Sequence, residues 1–332
     1  MEDDGYVLVP RDGFEGSSGN DNGPDWVDRS NHSYNFYEEI DNFIETLADS
    51  LWELNHFIHE NPELAFEEYK AHQILTDYLR SREEKWHVTP SAYGMETAWI
   101  AAYDSGEKGP AVSFNLEMGH ACGHNLIATA SLAAGLATVE VMRRHNLPGK
   151  VLLFGTPGEE GLGGGKIRLL KKGAYRGVDI SLISHPGILN NSPLVRTTAF
   201  ARLEVEYFGR AAHGAKNPWM GINALDALVV SYNAVAALRQ QTKPGDVIGL
   251  AITNGGEQAT NIIHAYAACE MGGSRGPDFE KASGSKLAFA RALRVGKALA
   301  GTAVDVLTVP GLLDDVKRQW RKDMEAIDEL SE

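Results

Sequence analysis

At 332 residues the chain has room for two hydrophobic cores. Its formal charge of −14 argues against a general affinity for nucleic acid or for an anionic membrane surface. Two cysteines, Cys122 and Cys269, are too few and too far apart for a disulfide framework and point to a reducing compartment.

Met1-Glu2-Asp3-Asp4-Gly5 has no basic n-region and no apolar h-region, so no secretory signal is read. No apolar run approaches the roughly 18 residues of a membrane span. The expectation is a cytoplasmic protein with neither nucleic acid nor membrane as partner. Residues 1–32 are rich in Asp, Gly, Ser and Asn without period, and are predicted to be a disordered leader.

Regular pattern begins near Tyr34. Phe36, Ile40, Phe43, Ile44, Leu47, Leu51, Leu54, Phe57 and Ile58 recur at helical spacing and predict a long amphipathic helix. Pro62 interrupts it, and a second helix is predicted over about 66–80. Strands follow at 97–103 and 111–115, then an Ala-rich helix over about 126–145. Residues 150–156 read as a strand buried on both faces, followed by a Gly-rich loop, a helix over 165–172 and a strand at 179–184. This alternation predicts an α/β sheet covered by helices.

From Thr197 the order becomes strand (200–208), helix (221–239), strand (247–254), strand (261–270), helix (286–299) and strand (303–309). That is the βαββαβ order of a ferredoxin-like domain. Residues 312–330 read as one polar helix.

Two stretches carry chemistry. Gly119-His120-Ala121-Cys122-Gly123-His124 places a thiol and imidazoles before the Ala-rich helix, and Thr156-Pro157-Gly158-Glu159-Glu160-Gly161 places two carboxylates on a turn after a strand. Zinc takes Cys, His and carboxylate ligands, and a catalytic site leaves a position open for water. Cys122 and His124 are spaced to turn to one side of a loop. Of Glu159 and Glu160, one would ligate and the other accept a proton. His185 follows the next strand, and all three features fall where strands end. Spacing alone leaves two readings open: a metal site, or a buried Cys, structural His residues and a solvated Glu pair. Other motifs fail: the loop before Lys166 lacks the first Gly and the Ser or Thr of a phosphate loop, and no zinc-deaminase pattern or Gly-x-Ser-x-Gly elbow is present.

Glu60-Asn61-Pro62-Glu63-Leu64, Gly119–Asn125, Pro157–Gly161, Ser184–Gly187 and Phe208-Gly209-Arg210-Ala211-Ala212-His213 occur in the order of one family. The chain resembles, from about Tyr34 to Met324, the co-catalytic zinc metallopeptidase family twenty of aminoacylases, aminobenzoyl-glutamate hydrolases and auxin-conjugate amidohydrolases. It is most similar to the cytosolic, dipeptidase-like branch.

The resemblance implies a zinc-exopeptidase-like α/β catalytic domain (33–195) with an inserted ferredoxin-like dimerisation domain (196–311) and a shortened return to the catalytic domain (312–332). It implies Cys122, His124, Glu160 and His185 as ligands of two zinc ions, with manganese as an alternative metal. Glu159 becomes the general acid/base and His213 the oxyanion stabiliser reaching a partner's site in a homodimer. Asn261, Gly255 and Gly256 are implied to bind the substrate carboxylate. The expected activity is metal-dependent hydrolysis of an amide or peptide bond in an N-acyl amino acid or dipeptide-like small molecule.

Two departures stand beside the resemblance. The family's acidic-Ala-Leu-Pro segment is absent, so the chain passes almost directly from Glu117-Met118 to Gly119-His120. No His follows His264, so the last ligand and last strands of the pattern have no counterpart. A second expectation therefore accompanies the first: a catalytically inactive relative acting only through dimerisation.

Overall fold

The apolar stripe from Ile40 to Ile58 forms one face of a 25-residue helix, α1 (Phe36–Glu60). The computed structural model describes residues 36–119, 123–159, 164–187, 202–242, 248–256, 264–270 and 277–329. The predicted leader lies outside them.

In chain order follow α2 (Tyr69–Arg80), β1 (His87–Pro90), β2 (Trp99–Asp104), β3 (Ala111–Glu117), α3 (His124–His145), β4 (Lys150–Thr156), α4 (Gly165–Lys171) and β5 (Ile180–Leu182). Their strands form a five-stranded sheet in the order β1-β2-β4-β3-β5. β1 and β2 run antiparallel, whereas β4, β3 and β5 are mutually parallel. The connection from β3 through α3 steps to β4 on one side, and the connection through α4 steps back past β3 to β5. The strand order therefore reverses at β3, and the carboxyl ends of β3, β4 and β5 surround the place where open α/β sheets bind ligands.

Alternation within the strands separates two faces. Val151 and Leu153 of β4, with Trp99 and Ala101 of β2 and Val112, Phe114 and Leu116 of β3, belong to the main core with α1 and α3. Leu152, Phe154 and Ile100 point the other way and pack with Met95, Leu169 of α4 and Ala174. α3 is buried on almost every side because it lies within that core. Small residues make this possible: a Cβ at Gly135 would come within 2.5 Å of the Leu153 side chain. α3 has the length and hydropathy of a membrane span, but 94% of its apolar window is covered by the protein itself.

The later chain holds β6 (Arg202–Phe208), α5 (Ala224–Ala237), β7 (Gly249–Asn254) and β8 (His264–Glu270), then α6 (Pro277–Ser283), α7 (Lys286–Thr308) and α8 (Leu312–Glu329). β6, β8 and β7 form a second, antiparallel sheet in that order, with Ala224 and Leu228 of α5 buried beside Tyr207.

Here the ferredoxin-like expectation needs correction. Its final helix and strand, 286–299 and 303–309, are one continuous helix, α7. Phe289, Leu293, Ala300, Ala303, Val304 and Val306 of α7 belong to the main core with α1 and α3. The β-branched run Thr302, Val304, Val306 favours a strand locally, but burial along one helical face overrides that weak preference. Gly296 permits the close approach, since a Cβ there would lie 2.8 Å from the Ala130 carbonyl oxygen of α3. Among the described residues the second sheet has three strands, and the chain has rejoined the first core before residue 312. α8 is helical as expected.

Candidate metal centre at the carboxyl edge of the sheet

β3 is buried at all seven positions, yet every second residue is polar: Ser113, Asn115 and Glu117. They share the face turned away from the main core. Ser113 Oγ donates to Ser181 Oγ of β5 at 2.9 Å, and Asn115 Nδ2 donates to the same oxygen at 2.8 Å. The Tyr175 hydroxyl donates to Asn115 Oδ1 at 2.6 Å. Burial, with the Glu117 carboxylate nearby, pushes the Tyr175 phenol far above its ordinary pKa. This polar row leads along the strand to Glu117, which is 2% exposed at the carboxyl end of β3.

His124 opens α3 directly after Gly123, whose φ of +86° supplies the left-handed turn into the helix. Its ring is buried, with Nδ1 3.4 Å from the Met118 carbonyl oxygen. Its Nε2 lies 3.5 Å from Glu117 Oε2 and 3.4 Å from Glu159 Oε2. His185, three residues beyond β5, presents its ring edge-on to His124 with centroids 6.2 Å apart. One donor atom from each of Glu117, His124 and His185 lies within 4.8 Å of the others.

The loop bearing Glu159 is tied down from below. Glu68, 1% exposed just before α2, accepts the Gly158 N–H at 2.9 Å and the Phe66 N–H at 3.3 Å through Oε1. The Thr97 hydroxyl reaches its other oxygen at 3.4 Å. Gly119 is confined in the same way: its φ is +99°, and a Cβ would lie 2.5 Å from the Glu63 carbonyl oxygen.

These residues suit a small divalent cation. Glu117 Oε2 is fully buried and makes no hydrogen bond. A carboxylate oxygen left so is costly unless a cation completes it. Donors around tetrahedral zinc stand about 3.4 Å apart, close to the 3.5 Å between His124 Nε2 and Glu117 Oε2. Two imidazoles and a carboxylate form a donor set used by catalytic zinc.

Of the sequence-derived candidates, the structure gathers His124, Glu159 and His185. Cys122, Glu160 and Asn261 lie outside the described residues. His213 is exposed in the turn after β6, where its Nδ1 accepts the N–H groups of Ala215 and Lys216 at 3.2 Å each. Gly255 and Gly256 follow β7, and the Gly256 N–H is taken by Asn254 Oδ1 at 2.8 Å. Sequence reasoning missed Glu117 and Glu68. A signal for Glu117 was present, a polar residue at every second position of a strand otherwise apolar.

The chain is 38% identical over 243 residues to the Xaa-Arg dipeptidase of Homo sapiens, covering 68% of this chain and 55% of that protein. It is 30% identical over 259 residues to a p-aminobenzoyl-glutamate hydrolase polypeptide of Escherichia coli, covering 70% of this chain and 52% of the relative. The chain thus spans about half the length of the curated relatives it matches. Its fold resembles that of the aminobenzoyl-glutamate utilization protein from Klebsiella pneumoniae, with a TM-score of 0.51 at 18% identity over 80% of this chain and 75% of that one. The profile of Peptidase family M20/M25/M40 matches residues 93–282, a stretch that carries Glu117, His124, Glu159 and His185, and the chain belongs to that family.

Proposed function

We propose that the chain forms the metal-binding part of a hydrolase that cleaves an amide or peptide bond in a dipeptide-like or N-acyl amino acid substrate. The observation that carries this reading is the convergence of Glu117, His124 and His185 on the carboxyl edge of the sheet, with Glu159 against His124. A zinc or manganese ion held by Glu117, His124 and His185 would supply Lewis-acid chemistry for the amide carbonyl and for water near neutral pH.

The protein's own groups do the rest. The contact of His124 Nδ1 with the Met118 carbonyl fixes the tautomer that leaves the Nε2 lone pair facing the carboxylates. His185 Nδ1 donates to the Pro186 carbonyl oxygen at 2.9 Å, which leaves the Nε2 lone pair to hold a metal. Glu159 has a side chain 32% exposed, so it touches both the buried histidine and solvent. It is placed to accept a proton from the attacking water at Oε2 and to return it to the leaving amine.

Cys122 and Glu160 complete the ligand set in this reading, on the family pattern. His213 stabilises the developing oxyanion from the partner of a homodimer, and Asn261, Gly255 and Gly256 bind the substrate carboxylate. The described part of the site keeps a carboxylate and both imidazoles, so no observation favours an inactive relative.

The relatives' names supply the first test substrates: dipeptides ending in Arg, and p-aminobenzoyl-glutamate. Zinc-loaded, desalted protein should retain metal by elemental analysis and hydrolyse at least one of these or an N-acyl amino acid. Glu159→Gln should keep the metal and lose about 10²–10⁴ in kcat. Absence of both metal and hydrolysis overturns the proposal.

A further inference from the structure

Lys166, near the start of α4, donates from Nζ to Glu117 Oε1. Its side chain is 33% exposed and lines an open cleft with Asn115, Ile167, Leu170, Tyr175 and Ser181. The other oxygen of the same carboxylate, Oε2, is buried without a hydrogen bond, 3.5 Å from His124 Nε2. One oxygen is therefore held by a cation of the protein, and the other faces the nitrogen donors of the candidate metal centre.

A buried carboxylate needs a counter-charge, and a single negative charge cannot fully serve both an ammonium and a divalent ion a few ångströms apart. Resting on the metal-centre reading above, we propose that Lys166 is an internal counter-ion that competes with the metal for Glu117. It neutralises the carboxylate when no metal is bound, and so lowers the affinity of the loaded state. The open cleft gives Nζ a way out: when Glu117 turns to a divalent ion, the flexible lysine stem can carry the ammonium into water instead of leaving it beside a like charge. The sign of the effect separates this role from a structural one, since general damage to the site weakens metal binding.

The test is zinc affinity of the full chain, read by competition with a chromophoric chelator, together with the thermal midpoint before and after loading. Lys166→Met should bind zinc about tenfold or more tightly than the parent. Its metal-free midpoint should fall, and its loaded midpoint should fall less. Lys166→Arg, which keeps the charge, should stay near the parent affinity. If the methionine variant fails to fold, Lys166→Gln reads the same competition with a polar stem. Equal or weaker zinc binding by the uncharged variant overturns this proposal alone. No zinc binding by any of the proteins overturns the metal-centre reading and this proposal with it.

Discussion

Glu68 and Glu159 show how two carboxylates of one site are given different work by their surroundings. Glu159 stands partly in solvent against His124, whereas Glu68 is buried and accepts backbone N–H groups from Phe66 and Gly158. A carboxylate that gathers backbone donors fixes the chain that carries them. Glu68 is therefore a positioning residue for the turn beneath Glu159. Phe66, at φ +73°, is held in the left-handed region, and its ring packs against Gly158 and under the Arg168 guanidinium, 4.1 Å from the ring centroid. Glu68→Ala leaves the two N–H groups without their acceptor and should cost about 1–3 kcal/mol of stability. It should also lower kcat more than it changes KM while metal content stays near the parent value. Unchanged kcat in a folded variant would show that the turn holds itself. Denaturant titration and steady-state kinetics measure both effects.

At the scale of elements, a charged contact and a short apolar one secure the last helix among the described residues. Lys317 of α8 donates to Asp179 Oδ1, while Asp179 Oδ2 accepts the Ala111 N–H at 2.9 Å, and Leu312 and Leu313 pack against the main core. Burial pushes the Asp179 carboxyl up, but the Lys317 ammonium and the Ala111 N–H outweigh it and hold the group below the usual carboxylate range. The sign follows: the contribution to stability is full above the unfolded-state value near ~3.9 and is lost as pH falls through the lower folded value. Asp179→Asn should therefore destabilise the protein at neutral pH by about 1 kcal/mol, the contact being partly exposed. The gap between parent and variant should close below about pH 3–4, as followed by chemical denaturation across pH. A gap that stays constant to low pH would remove the charge from the explanation.

For the molecule as a whole, the centre joins segments distant in the chain. Glu117 ends one of three parallel strands and His124, Glu159 and His185 lie beyond them, and only folding of the whole sheet brings the four together. A ligand bound to such a centre stabilises the native state by mass action, by about 2.7 kcal/mol at a hundredfold excess over Kd. Zinc-loaded protein should lose several degrees of thermal midpoint on treatment with a strong chelator, and recover them when zinc is returned. A midpoint indifferent to chelation would mean that the metal, if retained, sits apart from the folded core.

Much of this was written in local pattern. The stripe of α1, the apolar run of β4 and the glycines before α3 and α4 are short-range signals, and the elements of the first sheet form where those signals lie, except β1 (His87–Pro90), a strand the sequence pattern did not predict. His124, Glu159 and His185 were legible because each follows a strand in a family motif. Tertiary structure decided the rest. Residues 303–309 have strand-like composition but are helical, because α7 gains more by burying one face against α3 and α1 than by pairing backbone with the second sheet. Glu117 and Lys166 are 49 residues apart, and nothing in either segment announces the other. Local sequence determined most of the helices and strands, since period and turn chemistry act within a few residues, and packing decided the exception at 303–309. Which carboxylate faces which cation depends on strand order and register, and those exist only once the sheet has assembled.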